Sequence, residues 1–274
     1  MAEFEKLLQG RGDVELVRLL LEFAADLAPD LDADACLAEV ARLAGRVARR
    51  LRGQPIQAAT LADCLRAASE VLYVEEGFHG NREDYYDPRN SQFHEVLHRR
   101  CGIPITLAVL YCAVTRPAGL PVFGVATPGH FMVGCCLDDA ELYVDPYAEG
   151  ELLDRHSCRE RVEQVLGRGG VVQDEHFRPA TPRDIAARVL RNLKASYVMR
   201  NGWPEALLVQ ERLSQLLHEE RTEQRDLGLL CLRNGQPQRA LRLLTAYTAD
   251  CDEAEALALE PYLRSARRLL FEMN

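Results

Sequence analysis

Two side chains able to move a proton stand at the ends of neighbouring apolar runs: a histidine opens HFMVGCC (130–136) and an aspartate closes ELYVD (141–145). Asp138 and Asp139 lie between the runs. Each run reads as a strand, and a turn at the two acidic residues would fold them into an antiparallel hairpin. Counting back from that turn places residue 130 opposite residues 145 to 147, so the imidazole and the carboxylate meet across the ladder. A carboxylate in that position fixes the imidazole tautomer and supports the imidazolium formed when the ring takes a proton from a thiol or hydroxyl. His130 and Asp145 are thus two members of a nucleophilic triad in type and spacing. A histidine and an aspartate that only satisfy turn and strand-end backbone groups would look the same.

The third member is harder to place. Cys101 lies just ahead of GIPITLAVLY (102–111), whose Pro104 suits the first turn of a helix, and a thiol near a helix N-terminus is a candidate nucleophile. Against it, the chain changes direction at Gly102-Ile103-Pro104, and acyl transfer needs the attacking atom within about 3 to 3.5 Å of its target. Cys112 is two turns further down that helix, and Thr106, roughly 200° around it from Pro104, points elsewhere. Cys135 and Cys136 fall on opposite faces of one strand and read as packing residues.

A second pattern competes for the chemistry. HEVLH (94–98) matches His-Glu-x-x-His, in which a helix presents two imidazoles one turn apart to zinc. Residues 99–129 hold no histidine, aspartate or glutamate to complete the ligand set, so a zinc peptidase through His94 and His98 stands as a second alternative and no cofactor is expected. The preceding loop, with Tyr86, Asp87, Arg89 and Asn90, combines aromatic area with hydrogen-bonding groups and is a candidate ligand-binding surface; Asp87 and Asn90 are equally able to cap and brace turns.

The elements that must position these residues follow from periodicity. From Val14 to about Leu72, apolar residues recur at three- and four-residue steps (Val40, Leu43, Ala44, Val47; Leu61, Cys64, Leu65, Ala68), which predicts two or three amphipathic helices. Gly77, Gly80, Asn81, Pro88 and Asn90 then break the pattern. Ser91 is expected to cap a short helix ending at Gly102, a second helix starts at Pro104, and β-branched runs after Pro117 give three strands. The last ninety or so residues are helical again. Lys194 and Gly228, Tyr197 and Cys231, and Ala206 and Ala240 are spaced by 34, and the Asn201-Gly202 turn returns at Asn234-Gly235, which predicts two helical hairpins of tetratricopeptide-like period.

Bulk properties narrow the function classes. A formal charge of -9 excludes a general electrostatic attraction to nucleic acid or anionic lipid. Nine cysteines, an odd count without framework spacing, fit reduced thiols in a cytoplasmic compartment. No apolar run is long enough to span a bilayer, and the first residues lack a signal-peptide pattern.

Taken in order, YYDPRNS (85–91), RCGIPITLAVLY (100–111), PGHFMV (128–133) and YVDPY (143–147) resemble the bacterial SirB-type branch of the transglutaminase-like superfamily, which carries a tetratricopeptide tail. The resemblance implies an α+β fold: a helical segment (1–79), a papain-like transglutaminase core with a helix packed on an antiparallel sheet (80–180), and helical repeats (181–274). In catalytic members of that superfamily a Gly-x-Cys opens the helix, a histidine begins a following strand, and an aspartate before proline ends the next. Laid on this chain, the base is His130 and its orienting acid Asp145, while Pro104 occupies the thiol's place. The expectation is a non-catalytic protein-interaction or regulatory module, binding a protein or peptide through its helical tail. The alternative is a cysteine-type hydrolase or acyl transferase using Cys101, His130 and Asp145.

Overall fold

A computed structural model describes residues 1–167 and 171–273. The chain divides into two compact units, Met1–Val189 and Leu190–Asn274. The segments 1–79 and 80–180 therefore pack as parts of one unit, with no division between them.

The first unit opens with four helices, α1 (Glu3–Leu8), α2 (Leu16–Ala25), α3 (Ala33–Arg50) and α4 (Leu61–Ser69). In α3 the stripe Val40, Leu43, Ala44, Val47 is buried, and Asp32 caps the first turn by accepting the Ala35 N–H at 2.9 Å. Helix α4 continues into a π-helical turn, Glu70–Glu75, a local widening not foreseen from the periodicity. Next come β1 (His79–Gly80), α5 (Phe93–Arg99), β2 (Cys101–Gly102) and α6 (Pro104–Thr115), with β1 and β2 paired in parallel.

Ser91 does not cap α5. It ends a short 3-10 turn begun by Asp87, and Gln92 takes the N-cap position. Arg100, in the left-handed region, stops the helix in the place expected of Gly102, which instead pairs with Gly80. Helix α6 does begin at Pro104. Every residue in it except Ala113 is buried, so it is the core helix rather than an amphipathic surface one.

Strands β3 (Val122–Val125), β4 (Met132–Leu137), β5 (Ala140–Asp145) and β6 (Glu151–Asp154) form one antiparallel meander in chain order. The first three match the predicted strands. The fourth is too short to show an alternation, and only its pairing with β5 defines it. Helix α6 lies on the sheet, and α7 (Arg155–Leu166) packs against β5 and β6. Val125, Met132, Tyr143, Leu153, Cys158 and Val162 make a core cluster that joins α7 to all four strands.

Helix α8 (Pro182–Met199) runs across the division of the chain, and α9 (Trp203–Leu216), α10 (Arg221–Arg233), α11 (Pro237–Thr248) and α12 (Glu253–Met273) complete the second unit. The residues spaced by 34 fall on corresponding helices: Lys194 and Tyr197 on α8 with Gly228 and Cys231 on α10, and Ala206 on α9 with Ala240 on α11. Ala206, Leu207, Leu230, Cys231 and Ala240 share one core. At Gly228 an added Cβ would lie 2.9 Å from Leu244, so the small residue lets α10 and α11 approach closely. Among the described residues no helix is long and apolar enough to cross a membrane.

Candidate functional site

The hairpin has the expected register: Leu137 faces Ala140 around Asp138-Asp139, and Val133 faces Val144. Continuing that count, residue 130 falls opposite 147. His130 lies just before β4, with its ring edge-on to Tyr147 at a centroid distance of 6.3 Å. Its Nε2 comes within 2.9 Å of Asp145 Oδ2, so the structure brings the predicted pair together. The ring N–H direction does not line up as a hydrogen bond, so the contact is a close approach of a buried Nε2 to the carboxylate.

Asp145 itself is 3% exposed and fully engaged. Its Oδ1 accepts the backbone N–H of Tyr147 at 2.9 Å and of Ala148 at 3.1 Å, and its Oδ2 accepts Arg161 Nη1 at 2.7 Å. Burial pushes its pKa up, but the approach of His130 and the two backbone donors outweigh this, leaving it below the ordinary carboxylate value. Arg161, on α7, also binds Glu151 at 2.9 Å. Sequence reasoning missed Arg161. Its neighbours Cys158 and Val162 mark only the buried stripe of α7, and no spacing ties it to a strand end sixteen residues earlier.

The place where a thiol would open α6 is filled by Pro104, buried in the helix's first turn. Thr106 is also buried: its Oγ1 donates to Asn90 O at 2.9 Å and accepts the Ile103 N–H at 3.2 Å. Cys101 sits in β2, 7% exposed, its thiol pKa raised by burial rather than lowered toward a reactive thiolate. It lines a cavity of about 700 Å³ with His79, Arg82, His98 and Glu149. His130 and Asp145 line a different one, of about 320 Å³, with Thr127, Arg161 and Val165. Tyr147 touches both neighbourhoods, since its ring lies against Gly80 of β1 and its hydroxyl donates to Asn81 O at 2.7 Å. Cys101 and His130 are not brought into one cavity. Cys112 and Cys135 are buried, with thiols pushed up to about 12, and Cys136 is exposed on the opposite face of β4.

The loop residues hold each other. Asp87 accepts the Arg89 N–H at 3.0 Å and pairs with the Arg89 guanidinium at 2.7 Å. Asn90, fully buried, donates to Asp84 O and Tyr85 O and accepts from Asn81 Nδ2. Tyr86 is half exposed, stacked edge-on with Tyr85. Of the HEVLH pair, His98 is exposed, while His94 is partly buried with its pKa lowered by desolvation and its Nδ1 left without a partner. Among the described residues no three His, Cys, Asp or Glu side chains converge as a metal-binding group, so the structure does not join His94 and His98 to a third ligand.

A histidine and an aspartate brought together at the ends of paired strands, on a sheet packed against a buried helix, define a class, and comparison with known proteins agrees. The family described as Transglutaminase-like superfamily matches residues 34–191, and the chain belongs to that superfamily. A UPF0162 protein of Xylella fastidiosa (strain 9a5c) is 36% identical over 237 residues, covering 85% of this chain and 82% of the relative. One from Vibrio cholerae is 26% identical over 218 residues, 79% of each chain. F-box only protein 21 of Homo sapiens is 37% identical over 108 residues, 36% of this chain but only 17% of that protein. No solved structure matches the chain.

Proposed function

We propose that this protein is a non-catalytic, SirB-type member of the superfamily: a cytoplasmic interaction module whose second unit, a tetratricopeptide-like pair of helical hairpins, takes a peptide or protein partner. The observation that carries the reading is Pro104, an atom set without a nucleophile, buried and well fitted at the first turn of α6. The desolvated thiol of Cys101 and its separate cavity support it. The match to a short stretch of a much longer F-box protein supports a core that serves as a module. Within the second unit, an open groove of about 910 Å³ lined by Trp203, Leu230 and Tyr262 has the apolar and aromatic character of a peptide-binding surface.

The test is thiol reactivity. At near-neutral pH, limited alkylation is expected to fall on Cys36, Cys136 and Cys251, the thiols with solvent exposure, and to be unchanged by His130→Ala. Selective labelling of Cys101 that disappears in His130→Ala, or a trapped thioester, would establish the cysteine-enzyme reading instead. A partner that co-purifies with the full chain is expected to be lost on deleting residues 190–274 and kept in His130→Ala.

A further inference from the structure

The groove of the second unit selects among partners more sharply than the interaction reading requires. Its floor is α10 and its walls are α8 and α12. Lys194 joins α8 to Asp226 of α10 at 2.9 Å, and Arg225 joins α10 to Glu255 of α12 at 2.7 Å. The surface is accessible: Val198 and Tyr262 are exposed, and Trp203, Leu229, Leu232 and Leu269 are partly so. Residues reach it at three- and four-residue steps, Asp226, Leu229 and Arg233 from α10 and Tyr262, Ser265 and Leu269 from α12.

Hydrogen bonding decides the backbone form of an occupant. The groove is built of helices, whose interior N–H and C=O groups are already paired within each helix. Of the polar side chains, Lys194 and Asp226 hold each other, and Asp226 also accepts from Arg225 at 2.9 Å. Ser265 and Arg233 are too few to serve the row of backbone groups that an extended segment would press against Trp203, Leu229 and Leu269. A buried amide group without a partner costs about 1–3 kcal/mol. A helix arrives with its backbone paired and its side chains able to interleave with stripes of the same period. The floor has 13 residues, about 20 Å of helix, which matches an occupant of about four turns.

Charge decides its composition. Arg233 is exposed, lies over the Trp203 ring at 5.3 Å, and has no carboxylate partner among the described residues. Asp226, the one carboxylate among the described residues lining the groove, is held by two cations. A basic helix would meet Arg233 and find no free counter-ion. Residues 190–274 carry twelve basic and twelve acidic side chains, so the chain's charge of -9 does not arise in this unit, and screening keeps it from opposing an acidic partner there.

We infer that the groove takes an acidic amphipathic helix of about four turns, its apolar stripe on Trp203, Leu229 and Leu269 and a carboxylate at its edge on Arg233. This rests on the second unit being the partner-binding part and adds the partner's chemistry.

The full chain is titrated against three fluorescein-labelled peptides of about 16 residues, followed by fluorescence anisotropy. The first has leucines along one helical face with alanine and glutamate elsewhere, the second has lysine for each glutamate, and the third has two central residues of the first replaced by proline. The glutamate peptide is expected to bind with a Kd of about 100 μM or tighter, and the other two at least about tenfold more weakly. Arg233→Glu, at an exposed position, is expected to reverse the preference so that the lysine peptide binds better. Tyr262→Ala, also exposed, is expected to weaken the glutamate peptide at least about fivefold. No binding of the glutamate peptide, equal binding of the proline peptide, or an unchanged preference in Arg233→Glu would each overturn the assignment. The interaction reading then still stands if a co-purifying partner is lost on deleting residues 190–274, and falls too if no partner depends on them. A dimer that dissociates in Tyr262→Ala would put a second copy in the groove and likewise overturn the assignment.

Discussion

Asp145 organises its surroundings through geometry that a neutral residue cannot reproduce. Four groups converge on its two oxygens, and two of them, Arg161 and His130, carry or can carry positive charge. Asp145→Ala would leave two backbone N–H groups without their acceptor and Arg161 with Glu151 as its remaining carboxylate, and removing one partner of a buried ion pair costs about 3–5 kcal/mol. Urea unfolding is expected to show a loss of that size, with Asp145→Asn intermediate because its amide oxygen still serves the backbone donors. The pH dependence has a definite sign. A carboxyl whose folded pKa lies below its unfolded value, about 3.9, contributes stability that is fully present above about pH 5 and is lost as pH falls through the folded pKa. The wild type should therefore lose stability more steeply than Asp145→Asn on acidification below about pH 4, measured as melting temperature against pH. His130 and Asp145 were legible because a hairpin with a two-residue turn converts spacing directly into proximity. Arg161 was not, because it reaches the same carboxylate from another element, and only tertiary packing brings α7 to the end of β5.

Among the elements, those with a long uninterrupted period were legible from sequence. The stripes of α3 and α4, the Pro104 start of α6 and the apolar, β-branched runs of β3, β4 and β5 each gave a local signal. The rest turned on features with little local signal. The β1–β2 pair is two residues on each side, β6 is four residues long, and α5 ends on a left-handed arginine although a glycine stood two residues away. The connection from β5 to β6 has a sharper requirement. Gly150 has a φ of +80°, and a Cβ there would sit 2.5 Å from Ser69 Oγ and 2.7 Å from the Tyr73 ring. Both contacts belong to the segment where α4 passes into its π-helical turn, so this turn and the end of β5 are fitted to each other. Gly150→Ala combines an unfavourable backbone with overpacking, each costing about 1–3 kcal/mol. A loss of at least about 2 kcal/mol is expected in denaturant unfolding, whereas Gly53→Ala, also at positive φ but with open space around it, should cost about 1 kcal/mol through the backbone alone.

At the scale of the whole molecule, the division of the chain falls inside α8, after Val189, rather than in a linker. Sequence patterning had no means of finding it, because a helix continues its period regardless of which core each turn joins. The first turns of α8 bury Ile185, Ala186 and Val189, and Ile185 lies beside Gly124 of β3. The later turns carry Lys194 and Arg191, which with Gln210 satisfy the buried Glu223 carboxylate on α10. That carboxyl is pushed up by burial and pulled lower overall by Gln210 and the two cations, so the second unit holds a polar network of its own beside its apolar core. A fragment spanning residues 182–274 keeps α8 whole and preserves every one of these partners. It is expected to be helical by circular dichroism and to melt cooperatively, as a stack of helices with a continuous core does. A fragment beginning at residue 200 lacks Arg191, Lys194 and Tyr197, leaves Glu223 short of its cations, and should melt at a clearly lower temperature or not fold. Equal melting of the two fragments would mean that α8 contributes nothing to the second unit's stability, against the hydrogen bonds that tie Arg191 and Lys194 to Glu223 and Asp226.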